Sequence, residues 1–73
     1  MADLIQRQRE ISALLQQQNY AEAIQALHPL NYADQARLIQ QFPIEDQIEL
    51  LSGLVHQGLV FEFFPFELQR QLI

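Results

Sequence analysis

Apolar residues recur along this chain at helical spacing and almost nowhere at strand spacing. Over residues 3–18, Leu4, Ile11, Leu14 and Leu15 fall on one side with Gln and Arg elsewhere, which predicts an amphipathic helix. Asn19 has the character of an N-cap, and Glu22 three residues on completes a capping-box-like pair. Tyr20, Ala23, Ile24 and Leu27 then follow at i, i+3, i+4, i+7 in a second, short helix. Pro29 ends it, because proline removes a backbone donor and disfavours helix at His28. Asn31, with Asp34 three positions later, opens a third helix whose inner face is Tyr32, Ala36, Ile39 and Phe42. Pro43 is a helix-starting proline, and Glu45 and Asp46 sit in the first turn, where carboxylates favour the helix dipole. The fourth helix carries Ile44, Ile48, Leu51 and Val55 inward, widened by Leu50 and Leu54, and Gly58 is placed as its C′ residue or as a hinge. A short apolar helix from Leu59 to Phe64 stops at Pro65, and a last helix begins there and runs to Leu72 and Ile73. Val60–Phe66 alternates weakly, but no second strand is available to pair with it. The expectation is one all-α domain over residues 1–73, with five or six helices and breaks near Asn19, Pro29–Asn31, Pro43, Gly58 and Pro65.

The helices restart on repeated signals. The segment from Pro43 to Leu51 matches the segment from Pro65 to Ile73 at four of nine positions (Pro, Glu, Gln, Leu), and each proline follows a Phe. Asp34-Gln35-Ala36-Arg37-Leu38-Ile39 lines up in turn with Asp46-Gln47-Ile48-Glu49-Leu50-Leu51. Units this short cannot bury their own apolar faces, and stacking them into a superhelix of repeats is the physical solution.

Composition narrows the function classes. About half the residues, 49%, are hydrophobic, too many for a disordered chain. There are no cysteines, so neither a disulfide nor a thiolate metal site reinforces a core that must be thin at 73 residues. Nine acids against four Arg give a net charge of −5, the wrong sign for nucleic acid or an anionic membrane surface. The N-terminus lacks a signal-peptide core, and the longest apolar stretch, Leu59 to Phe66, is broken by Glu62 and Pro65. This is cytoplasmic character, with no direct membrane insertion, although such a domain can be the cytosolic part of a membrane protein.

The side chains offer little for catalysis. Ser12 and Ser52 lie in no nucleophile motif, and Gly53 and Gly58 cannot build a phosphate-cradling loop, so a non-enzymatic role is expected. Glu45, Glu49, Ser52 and His56 share one face if the fourth helix reaches that far, with Asp46 beside them. Two carboxylates one turn apart can hold a hydrated Mg²⁺, and the same stripe is also the ordinary solvated face of an amphipathic helix. His28 and His56 are read as surface or helix-end residues rather than ligands. Phe61, Phe63, Phe64 and Phe66 cannot all face one core from so short a segment.

The stretch Leu27-His28-Pro29-Leu30-Asn31-Tyr32-Ala33, followed by Phe42-Pro43 to Leu51 and by Gly58–Glu62 with Pro65-Phe66-Glu67-Leu68-Gln69, resembles the cytoplasmic N-terminal domain of MgtE-type magnesium channels. The likeness runs from about Ile11 to the end, through degenerate Leu/Pro/Glu patterns. The FliG flagellar rotor family, with a similar His-Pro segment, is the second resemblance. What the first implies is a right-handed, armadillo-like superhelix and a regulatory role, with Mg²⁺ bound between this domain and CBS domains. Glu62 is the nearest match to the family's metal-facing acid, although Phe61 departs from the small residue usual there. The chain corresponds to about half of such a domain. The second resemblance implies a protein-interaction adaptor with no metal role.

The two ends differ in polarity. Residues 6–10 and 16–18 are Gln, Arg and Glu throughout, a polar cap for a stack of helices. The other end presents Phe61, Phe63, Phe64, Phe66, Leu68, Leu72 and Ile73 with few charges between them. A neighbouring domain or a second copy is expected to cover that end.

Overall fold

The computed structural model describes residues 4–72 and is all helix, with no strand among them: α1 Leu4–Gln16, α2 Tyr20–Leu27, α3 Tyr32–Ile39, α4 Ile44–Ser52, α5 Gln57–Phe61 and α6 Phe66–Leu72. The all-α expectation holds at six helices. Ile73 lies outside the described residues.

Local chemistry sets most of the boundaries. α1 ends in a Schellman turn. Gln18 adopts φ 57°, its N–H donates to Leu15 O at 2.9 Å, and Asn19 N–H donates to Leu14 O at 2.8 Å. Gln stands where glycine is favoured, because a Cβ crowds the left-handed conformation. Asn19 and Asn31 are N-caps as expected, with Oδ1 accepting from Glu22 N–H at 3.4 Å and from Asp34 N–H at 2.8 Å. Pro43 occupies the N-cap of α4, and its carbonyl accepts from Gln47 N–H at 3.0 Å.

Two boundary expectations and two inner-face expectations in α4 and α5 need correction. α4 stops at Ser52 with Gly53 as its C-cap, and Gly58 lies inside α5. A Cβ on Gly53 would crowd Ile24, whose Cγ1 would lie 3.0 Å from it, whereas one on Gly58 would meet nothing within 4 Å. Packing against α2 therefore places the glycine at position 53. Val55 leaves the helix and is 77% exposed, and Ile48 is 43% exposed, so neither lies on an inner face. α5 covers Gln57–Phe61 rather than Leu59–Phe64.

The core draws one fully buried large side chain from each of the first five helices: Ile11, Leu27, Ile39, Leu50 and Val60. α6 has no buried residue; its Leu68 and Leu72 pack partly buried against that cluster. α4 is the hub, touching α2, α3, α5 and α6, while α1 lies on α2 and α3. The described residues measure 27 × 27 × 20 Å with a radius of gyration of 11.1 Å. A compact chain of this length is expected near ~11 Å, so the helices close around one core.

A recurring glutamine stitches consecutive helices together. Gln35, Gln47 and Gln69 each lie four residues after the residue that opens a helix (Asn31, Pro43, Pro65), and each backbone N–H donates to that residue's carbonyl. The side chains reach back to the preceding turn. Gln35 Nε2 donates to Leu27 O at 2.8 Å and Leu30 O at 3.1 Å. Gln69 Nε2 donates to Phe61 O at 3.1 Å and Phe64 O at 2.9 Å, the same offsets in sequence. Gln47 Nε2 donates to Phe42 O at 2.8 Å, and its Oε1 is buried without a hydrogen-bond partner. Leu27 O and Phe61 O each also accept a backbone N–H, from Leu30 and Phe64, whereas Leu30, Phe42 and Phe64 lie in the connections, where no helix ladder supplies a donor and the amide does.

Candidate docking cleft and aromatic end

Two helix junctions form a concavity. On one side, α2 ends at His28, Pro29 prevents its continuation, Leu30 N–H donates to Leu27 O at 3.1 Å, and Asn31 starts α3. On the other, the chain leaves α4 at Gly53, tucks Leu54 inward, exposes Val55 and enters α5 at His56. Between them lies a cleft of about 550 Å³, in the size range of ligand and side-chain pockets. His28, Leu30, Asn31, Tyr32 and Gln35 line it from the first junction, and Leu54, Val55 and His56 from the second. The Tyr32 and His56 rings meet edge to face, with centroids 5.8 Å apart and planes at 64°.

Apolar groups dominate this lining, and its polar groups are few. Gln35 is only 5% exposed. Both Nε2 hydrogens are committed to the two carbonyls of the α2–α3 turn, so Oε1 is the atom it has left for a ligand. Neither a carboxylate nor an arginine lines the cleft of a chain whose net charge is −5.

The histidines are exposed helix-end residues, as the sequence suggested. The sequence did not reveal that they share one cleft. They come to one cleft because α3 packs on α5 and α4 bridges the two, and no local pattern encodes that. Four members of the His-Pro segment, His28, Leu30, Asn31 and Tyr32, line the same cleft. Gln35 and its two counterparts were visible in the repeat alignment, and recurrence in register at a buried position was the signal of their role.

The acidic candidates behave differently. Glu45 and Glu49 are exposed on α4, and Glu62 is exposed at the C-cap of α5. Among the described residues no three His, Asp or Glu gather as a metal-holding set. The proposed stripe is also interrupted: His56 is not on α4, and Ser52 Oγ donates to Ile48 O of its own helix at 2.7 Å. Asp46 has a partner instead, accepting from Tyr20 OH at 3.1 Å. That hydrogen bond, followed by partial desolvation and the negative charge of Asp46, Glu49 and Glu45, pushes the Tyr20 phenol above its ordinary value of 10.0.

The aromatic end divides in two. Phe64 is 3% exposed and belongs to this chain's own core. Phe61 is half-buried and stacks on it, with centroids 6.3 Å apart and planes at 22°. Phe63 and Phe66 are 55% and 72% exposed. Leu68 and Leu72 take an intermediate place. The expectation of a wholly uncovered end therefore narrows to two rings, because the turn before Pro65 folds Phe64 inward.

Comparison with protein-family models, with curated proteins and with solved structures finds no match to this chain. No helix among the described residues is long and apolar enough to cross a membrane.

Proposed function

We propose that this chain is a non-catalytic helical docking module, a scaffold or regulatory adaptor that works by binding another protein surface. The observation that carries this is the pair of solvent-exposed rings, Phe63 and Phe66, beside a core already closed by Phe64. Burying a Phe side chain is worth about 1.5–3 kcal/mol, and this chain leaves two such rings largely unused. The adaptor reading, with no metal role, accounts for this end directly.

The magnesium-responsive version of the module requires a neighbour. Glu45 and Glu49 bring two carboxylates on α4, and Tyr20 feels both together with Asp46. A cation there would need further oxygen ligands from a neighbouring domain of the CBS type. Millimolar Mg²⁺ added to the full-length protein would separate the versions: protection of backbone amides around Glu45, Glu49 or Glu62 favours the regulatory one, and unchanged exchange favours the plain adaptor.

Docking itself is tested by placing a photo-crosslinking phenylalanine analogue at Phe66 and, as a control, at Gln17 on the polar end, within the cells that make the protein. Protein adducts at position 66 and few at 17 are expected. Absence of protein adducts at 66 overturns the reading.

A further inference from the structure

We propose that the cleft between the α2–α3 and α4–α5 junctions receives Phe66, with Phe63 beside it, from a second copy of this chain, so that copies join head to tail. This rests on the docking reading above and names the partner. The cleft has an apolar wall of Leu30, Leu54 and Val55 and an aromatic edge made by Tyr32 and His56. At about 550 Å³ it has room for an aromatic side chain, and edge-to-face rings extend readily to a third ring. Phe63 and Phe66 are the exposed aromatic rings of the chain, at 55% and 72%, and they do not line this cleft in their own copy.

Charge selects where two such acidic molecules can touch. Each copy carries −5, so most surface pairings bring carboxylates together. Glu62 and Glu67 flank the two rings, and the cleft that would receive them has no carboxylate in its lining. It has instead the two imidazoles, which supply N–H donors to carboxylates at the rim. Knob and cleft are different surfaces, so the contact is heterologous: each copy uses its knob on one neighbour and its cleft on another.

The test follows from that asymmetry. Val55→Glu fouls the cleft and Phe66→Glu the knob, and both positions are more than two-thirds exposed, at 77% and 72%, so the fold tolerates them. Sedimentation velocity of the whole chain, from the low micromolar range upward, should show reversible association of the wild type. Each variant alone should weaken it at least about tenfold, as loss of a central interface anchor does, with helix content by circular dichroism unchanged. An equimolar mixture of the two variants should recover association and stop at a dimer, because one intact knob and one intact cleft remain per pair. A wild type that stays monomeric, single variants that associate like the wild type, or a mixture that stays monomeric would each overturn the proposal. A monomeric wild type whose position 66 still crosslinks to a different protein removes the second copy and leaves the docking function standing. A monomeric wild type without protein adducts removes both.

Discussion

The α2–α3 and α5–α6 junctions are both tied by a glutamine that spans them, while no side-chain hydrogen bond crosses the α4–α5 junction among the described residues. In α3 and α6 the fourth residue after the helix opener is Gln, facing inward and bonded to two carbonyls of the preceding turn. In α5 the equivalent position is Val60, fully buried and with nothing to donate. A buried amide is costly unless paired, and once paired it fixes both partners in direction as well as distance. The tied junctions therefore hold successive helices by polar geometry, and the untied one holds them by packing alone. The untied junction leaves Val55 exposed at 77%, and the two kinds of junction line the cleft together.

The strongest way to break this comparison is to cut a tie. Gln35→Leu keeps the volume and removes the donor from Leu27 O and Leu30 O, of which Leu27 O retains the Leu30 N–H. A loss of about 1–3 kcal/mol in urea unfolding is expected, the cost of leaving one buried polar group, Leu30 O, unsatisfied. Gln69→Leu should cost less, about 1 kcal/mol, because that amide is only half-buried and water can reach the freed carbonyls. Gln47→Leu should be nearly neutral: it loses one bond to Phe42 O but also removes a buried, unpartnered Oε1. Equal effects at all three positions would show that hydrogen bonding is not what distinguishes the ties.

The untied junction is probed by its glycines. Gly53→Ala should destabilise by about 1–2 kcal/mol, because the new methyl forces Ile24 to move within a packed layer. Gly58→Ala enters open space inside α5 and should stabilise by about 0.5–1 kcal/mol through helix propensity. Thermal unfolding of the two variants should shift in opposite directions, and a shared direction would contradict the assignment of the close approach to Gly53.

A third kind of junction, α1–α2, relies on Gln18 in a left-handed conformation. Gln18→Gly should stabilise by about 0.5–1 kcal/mol, the usual scale of relieving a Cβ at such a site. No gain in urea midpoint would mean that the side chain contributes something the backbone geometry does not reveal.

A further expected effect is alkaline. Tyr20 is raised in the folded chain by its bond to Asp46, so the neutral phenol is favoured by folding. The corresponding stability is fully present below the unfolded value near pH 10 and is lost as pH rises through the higher folded value. In a Tyr32→Phe background, where Tyr20 is the remaining tyrosine, phenolate absorbance should appear above pH 10, and Asp46→Asn should bring it back down. Ionisation at or below pH 10 with Asp46 intact would contradict the contact.

Much of the helical layout was legible in the order of residues. Asn19, Asn31, Pro43 and Pro65 act within a turn of themselves, so the breaks they cause could be read directly. The repeated Gln was visible for the same reason, as part of a signal that recurs in register. The α4–α5 connection was not: apolar residues run on through Leu54 and Val55 at helical spacing, yet α4 ends at Gly53, where Ile24 approaches closely, and not at Gly58. Phe64 was equally hidden, because four phenylalanines close together in sequence give no indication of which one the preceding turn aims inward.

By itself, then, the sequence determined that the chain is helical, where most helices start, that its two ends differ in polarity, and that its chemistry is acidic and free of thiols. These are properties of composition and of interactions a few residues apart. Only the tertiary structure decided that His28 and His56 border one cleft, that Glu45 and Glu49 do not join Glu62, and that two of the four rings at the aromatic end remain in water. Each of those depends on how α3, α4 and α5 pack, and packing is set by the shapes of side chains far apart in sequence, which no local pattern records.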